Sequence, residues 1–272
     1  VKCALWSGEL PPYVLKAWIQ MVAAGKRNLR LSSFGDGKYF VPNNVAEQID
    51  SWLGGKLFIY NNDYGNTFQQ IFHDMDLLIQ LGVRVFILDN LFSMNIDLLS
   101  GDKLNQQKEL IVQIKEFAKK NNVHIILVAH PRKVMTFLRK NDISGTSDLT
   151  NAVDNVFILH RVNNDFIKAG AEFLGQAVVS QYQNFDTVLE VCKNRQFGVV
   201  DTLIGMYYES ESRRFKNFRE EDVKYGWEEH PTQETISFNN PPEHKSHGGE
   251  SKELDDNGMP FSPPPMDDDA PF

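Results

Sequence analysis

Val85-Phe86-Ile87-Leu88-Asp89-Asn90 is four apolar residues delivering a carboxylate, at the end of a run that begins at Val83. A short, nearly continuous apolar block of this kind reads as a strand covered on both faces, the usual state of a parallel sheet. Comparable runs occupy Lys2–Ser7, Leu57–Asn61, Val123–His130 and Asn155–Arg161. Between them lie amphipathic stretches. The clearest spans about 102–122, where Leu110, Ile111, Ile114, Phe117 and Ala118 recur at helical spacing, and another spans about 66–81. Strands alternating with helices predict an α/β fold built on a mostly parallel central sheet flanked by helices. Thr187–Lys193 and Thr202–Tyr208, on either side of a turn at Gln196–Val199, predict an antiparallel hairpin that closes this sheet.

After Trp227 the periodicity stops. Residues 1–227 are expected to form one domain, and 228–272, rich in Pro, Gly, Ser, Glu and Asp, a disordered acidic tail. From Pro241 to Phe272 eight acidic residues face two lysines, so the tail holds −6 of the net charge of −8. The acidic balance of the whole chain therefore does not argue against an anionic ligand for the domain. No apolar run reaches the roughly 18 residues that a membrane-spanning helix needs, and the N-terminus carries no signal-peptide pattern, so a cytoplasmic chain is expected. The two cysteines, Cys3 and Cys192, each lie in an apolar strand-like run and are expected to be buried thiols.

Ligands of a parallel α/β sheet gather at the carboxyl ends of its strands, so polar residues that terminate apolar runs are the informative ones. Glu9 follows Cys3-Ala4-Leu5-Trp6 by a short turn and precedes Pro11. It is placed either to polarise an attacking water or simply to favour a helix start. Asp89 is placed to orient the waters of a Mg²⁺ ion, or to cap a loop. His130 ends Ile125-Ile126-Leu127-Val128-Ala129 and precedes Pro131-Arg132-Lys133. It reads as a contact to a terminal phosphate or as a structural histidine. Lys193-Asn194-Arg195 ends another run and presents two cations, either to a phosphoryl group held by a neighbouring subunit or to solvent.

Taken in order, Leu88-Asp89-Asn90-Leu91, Asn121-Asn122-Val123-His124 through His130-Pro131-Arg132-Lys133, Asp142-Ile143-Ser144-Gly145-Thr146, Asp154-Asn155-Val156 and Lys193-Asn194-Arg195 closely resemble the C-terminal motor of DnaB-like and Twinkle-like replicative helicases. The resemblance covers about Val1 to Phe218. It implies a RecA-like NTPase core that binds ATP or another NTP with Mg²⁺. Glu9 would be the catalytic glutamate, Asp89 the metal-holding Walker B aspartate with Asn90 beside it at the nucleotide, and His130 the phosphate sensor. Arg195 would be the arginine finger, with Lys193 next to it. It further implies a homo-hexameric ring, 5′ to 3′ movement on single-stranded DNA, and DNA contacts at Arg132, Lys133, Arg139, Lys140 and Gly145. Two rivals stay open: a RecA-like recombinase or repair ATPase, and a non-hydrolysing replisome interaction module.

The sequence departs from the family at one essential point. A phosphate-binding loop needs Gly, four residues, then Gly-Lys-Ser/Thr. Gly-Lys occurs at Gly25-Lys26, Gly37-Lys38 and Gly55-Lys56, but Arg27, Tyr39 and Leu57 follow, and Gln20, Ser32 and Asp50 stand where the first glycine belongs. A piece of a longer protein is the expectation. At the other end, Asp267-Asp268-Asp269-Ala270-Pro271-Phe272 resembles the acidic tip of bacterial single-stranded-DNA-binding proteins. Asp267, Asp268, Asp269, Pro271 and Phe272 thus form a candidate docking peptide for replication proteins, or a solubilising end. Without a phosphate cradle, the 272-residue chain is expected to hydrolyse NTP negligibly; a phosphate-release assay on the purified chain checks this, and robust turnover would contradict it.

Overall fold

The apolar runs pair as a sheet because each lines up beside the next with its branched and aromatic residues in register. The computed structural model describes residues 1–90, 93–95, 103–131, 137–142 and 147–228. Arg132, Lys133, Gly145 and the acidic tail lie outside these residues. Strands β1 (Lys2–Ser7), β4 (Leu57–Ile59), β5 (Val83–Asp89) and β6 (His124–Leu127) form a parallel sheet in the order β4-β1-β5-β6. Ala4 pairs with Phe86, Ser7 with Asp89, and Ile87 with Ile126. The run expected over Val123–His130 pairs only over its first half. Val128 N still donates to Leu88 O, but β5 ends one residue later and offers no further ladder.

Two helices seal one core against this sheet. Helix α3 (Phe68–Gln80) starts at Thr67, whose hydroxyl accepts from Gln70 N at 3.3 Å, satisfying one orphan amide. It buries Ile71, Met75 and Leu78. Helix α4 (Lys103–Asn121) buries Leu110, Ile111 and Ile114, the face that its sequence spacing predicts. Both stripes pack with Ala4, Trp6, Phe86 and Leu88. A fully buried aliphatic or aromatic side chain contributes about 1.5–3 kcal/mol, so this cluster dominates the stability of the parallel half.

Between β1 and β4 the chain forms α1 (Pro12–Ala24), a two-residue hairpin of β2 (Arg30–Leu31) with β3 (Tyr39–Phe40), and α2 (Asn43–Leu53). Prolines Pro11 and Pro42 precede α1 and α2, where a missing amide costs nothing. A second cluster, with Ala23, Ala24, Leu29, Ile49 and Trp227 buried, holds this layer.

The second half departs from the expected parallel series. β7 (Asn155–Arg161), β8 (Thr187–Asn194), β9 (Thr202–Glu209) and β10 (Arg214–Lys216) form a separate antiparallel sheet in the order β10-β9-β8-β7. The β8–β9 hairpin is as expected. β7 was expected to be covered on both faces, yet it alternates: Val156, Ile158 and His160 are buried, whereas Phe157 and Leu159 are 55% and 49% exposed. The antiparallel pairing follows from the connection. Helices α6 (Asn164–Leu174) and α7 (Gln176–Val179) leave and return at the same end of the sheet, where Val162 N donates to Asp186 O at 2.9 Å. Helix α5 (Ser147–Ala152) precedes β7.

Arg214 ties the two halves. Its guanidinium donates to Val22 O, Ala23 O and Val223 O at 2.6–2.8 Å, bonding the end of α1 from β10. A Cβ on Gly25, whose φ is +66°, would lie 2.5 Å from that guanidinium, so glycine is required there. Of the two cysteines, Cys192 is buried, and burial beside Glu190 pushes its thiol up to about 12; Cys3 is only half-buried, a correction to the expectation.

The antiparallel sheet also buries a hydrogen-bonded pair, His160 Nε2 and Glu190 Oε2 at 2.8 Å, with Phe137 stacked on the imidazole. Burial works to raise the Glu190 carboxyl. The hydrogen bond and charge of His160, with the charge of Arg139, outweigh it and hold the carboxyl below its usual range. A carboxyl depressed in this way stabilises the fold above its unfolded pKa of about 4.3 and loses that contribution as pH falls through the folded value. Glu190→Gln is accordingly expected to cost about 1–3 kcal/mol at pH 7 and to flatten the loss of stability below about pH 4, measured by urea unfolding at several pH values.

Candidate active site

The carboxyl ends of all four parallel strands meet at one edge. Ser7, buried at the end of β1, faces Asp89 in register, and its hydroxyl donates to Asp89 Oδ2 at 3.2 Å. Ser7 Oγ also accepts from Leu10 N at 3.2 Å and from Glu9 N at 3.4 Å, folding the chain into a tight turn before α1. Gly8 N donates to Asp89 O at 2.7 Å. A Cβ on Gly8 would stand 2.3 Å from Ser93 Cβ and 2.7 Å from the Trp6 ring, so only glycine admits this approach. From β4's side, Asn62 Nδ2 donates to Ser7 O at 2.8 Å.

That turn presents Glu9 across the edge. Its Oε1 accepts from Asn90 Nδ2 and lies 3.0 Å from His130 Nε2. The Glu9 and His130 side chains are each about half exposed, at 49% and 54%, so the pair is open to a ligand. Asn90 is buried and fixed, with Ser93 Oγ donating to its Oδ1. Thus β1, β5 and β6 bring Glu9, Asp89, Asn90 and His130 together. The Asp89–Asn90 peptide is cis.

Among the described residues no group of three His, Cys, Asp or Glu side chains is arranged to hold a metal. Mg²⁺ ordinarily takes one or two carboxylates and completes its shell with water and phosphate oxygens. Asp89 fits that use: Oδ2 is oriented by Ser7, and Oδ1 has no hydrogen-bond partner among the described residues.

No family model matches the chain, and no curated protein matches it. Solved structures do. A DnaB-like replicative helicase, determined with its interactions with primase in view, superposes with a TM-score of 0.61 over 80% of this chain at 14% identity. This chain shares the fold of that DnaB-like structure. An isolated ATPase domain superposes similarly, with a TM-score of 0.60 over 80% of this chain at 15% identity. The chain spans 50% of the length of the first structure and 74% of the second.

Within this DnaB-like fold the remaining sequence-derived residues lie elsewhere. Lys193 and Arg195, at the end of β8, make none of their hydrogen bonds to the Glu9 edge. Lys193 Nζ donates to Thr150 O, Asn151 O and Val153 O at 2.7–3.0 Å, capping the carbonyl end of α5. Desolvation, then the nearby positive charges of Arg195 and Lys140, lower its pKa. Arg195 NH1 donates to Asp154 Oδ1 at 2.6 Å and NH2 to Asn151 O at 3.0 Å. Arg139 keeps 37% of its side chain exposed: it lies over Phe137 and Phe173, and NH1, without a hydrogen bond among the described residues, is 3.8 Å from Glu190 Oε1. Lys140 begins a short 3₁₀ turn, half-buried. Among the described residues no helix is long and apolar enough to cross a membrane.

Sequence reasoning did not single out Ser7, Gly8 or Asn62. Only the first two had a usable signal, a Ser-Gly immediately before the candidate glutamate. Because Ser7 is buried with three hydrogen-bond partners and Glu9 is exposed, their roles separate. Ser7→Ala is expected to cost about 1–2 kcal/mol in urea unfolding, whereas Glu9→Gln should shift stability by less than about 0.5 kcal/mol.

Proposed function

We propose that this chain is the greater part of the motor of a ring-forming replicative DNA helicase, which hydrolyses ATP or another NTP to move 5′ to 3′ along single-stranded DNA as a hexamer. One observation carries the reading. Glu9, Asp89, Asn90 and His130, drawn from three separate runs of sequence, converge on the carboxyl edge of a parallel sheet, the place where such folds bind ligands. The DnaB-like fold supports the reading.

Each side chain has a task suited to its setting. Glu9, exposed and aligned by Asn90, orients a water for attack on the terminal phosphate and takes its proton. Asp89, steadied by Ser7, holds Mg²⁺ through an oxygen or its water shell. Bound Mg²⁺ supplies positive charge at the phosphate oxygens. His130 touches the terminal phosphate and Glu9 together, so it registers whether that phosphate is present. Arg195 serves the nucleotide of a neighbouring copy, since its hydrogen bonds are made away from its own Glu9 edge. DNA contacts are assigned to Arg132, Lys133, Arg139, Lys140 and Gly145, and replication partners to the acidic tip.

The phosphate cradle is assigned to chain beyond these 272 residues. Ile126 on β6 and Phe157 and Leu159 on β7 leave apolar side chains exposed at the edge strands of the two sheets, where an added element would pack. In the protein that joins this chain to that cradle, Glu9→Gln is expected to lower kcat by about 10²–10⁴-fold while nucleotide affinity changes little. Steady-state hydrolysis with a separate nucleotide-binding titration checks this, and an unchanged kcat would remove Glu9 from the chemistry.

A further inference from the structure

Lys193 and Arg195, two cations separated by one residue, are held in different ways. Lys193 Nζ is saturated by three carbonyls around the end of α5. Arg195 instead rests on one carboxylate and one carbonyl, in a pair whose side chains are 49% and 60% exposed. Asp154 also has a second cation, Lys115 Nζ, at 3.6 Å, and Lys115 is itself fixed to Ala152 O at 2.6 Å. Departure of Arg195 therefore leaves Asp154 with a counter-ion. The backbone beneath does not need to move, because Arg195 N donates to Asp154 O independently of either side chain.

We propose that Asp154 is the resting counter-ion of Arg195, holding the guanidinium on its own chain until the phosphates of a nucleotide on a neighbouring copy compete it away. This rests on the trans role given to Arg195 above. The exchange is feasible because a planar guanidinium pairs with phosphate as well as with carboxylate, and a triphosphate offers more charge than one aspartate. It is gentle because an exposed pair biases an equilibrium by no more than about fivefold. Lys193, by contrast, stays in place and keeps the end of α5 capped whichever way Arg195 points.

The test uses Asp154→Asn, which keeps the backbone contact and the side-chain size while removing the charge. In the protein carrying its phosphate cradle, the variant is expected to lower the KM for NTP by about two- to fivefold with kcat unchanged, since Arg195 no longer has a carboxylate to leave. Arg195→Ala copies mixed into otherwise unaltered assemblies serve as the control. If they depress turnover only in proportion to their mole fraction, the trans role itself fails. If they depress it further but Asp154→Asn leaves KM unchanged, or lowers the melting temperature of the 272-residue chain by more than about 4 °C, Asp154 is an ordinary structural partner and the proposal falls.

Discussion

The register between β1 and β5 is the constraint on which the candidate site depends. Ser7 stands opposite Asp89, and two bonds lock that pairing at its carboxyl end, Ser7 Oγ to Asp89 Oδ2 and Gly8 N to Asp89 O. A one-residue slip would turn Ser7 and Trp6 to the opposite faces of the sheet. It would also carry Glu9 away from Asn90 and His130. The apolar cluster of Trp6, Phe86 and Leu88 under α3 and α4 makes such a slip costly, so the hydrophobic core and the polar edge enforce the same arrangement.

The two sheets divide the work differently. The parallel sheet places acidic and imidazole groups at an open edge. The antiparallel sheet buries its own polar residues, His160 with Glu190, and puts its cations on the carbonyl end of α5. The contacts of Arg195 are both few and exposed, which suits a residue proposed to serve another molecule. Its ion pair with Asp154 gives it a counter-ion within its own chain. Lys193, two residues earlier, is held differently, by three carbonyls around the end of α5.

Much of the fold was legible in the sequence. β1, β5 and β7 begin and end where the apolar runs do, and α4 buries the predicted stripe, because hydrophobic period reports local burial directly. What sequence could not show was which strands pair. Asn155–Arg161 reads as apolar whether one face or two is covered, and only the return of α6 and α7 to the same sheet end makes β7 antiparallel to β8. The site was legible in its charged members, which terminate strands. Ser7 was marked only by the Ser-Gly that precedes Glu9, and Asn62 was silent, since an amide that holds a backbone turn has no pattern of its own. The contacts of Arg139 with Phe173 and Glu190 had no signal in the sequence, because they join residues far apart in the chain.

An experimental structure of the protein joined to its phosphate cradle, with Mg²⁺ and a non-hydrolysable NTP analogue bound, tests the central claim most directly. The terminal phosphate is expected beside Glu9 and His130, the metal on the Asp89 side, and Arg195 of the adjoining copy at the same phosphate. Nucleotide bound away from the ends of β1, β5 and β6, or Glu9 and His130 turned from it, would contradict the account.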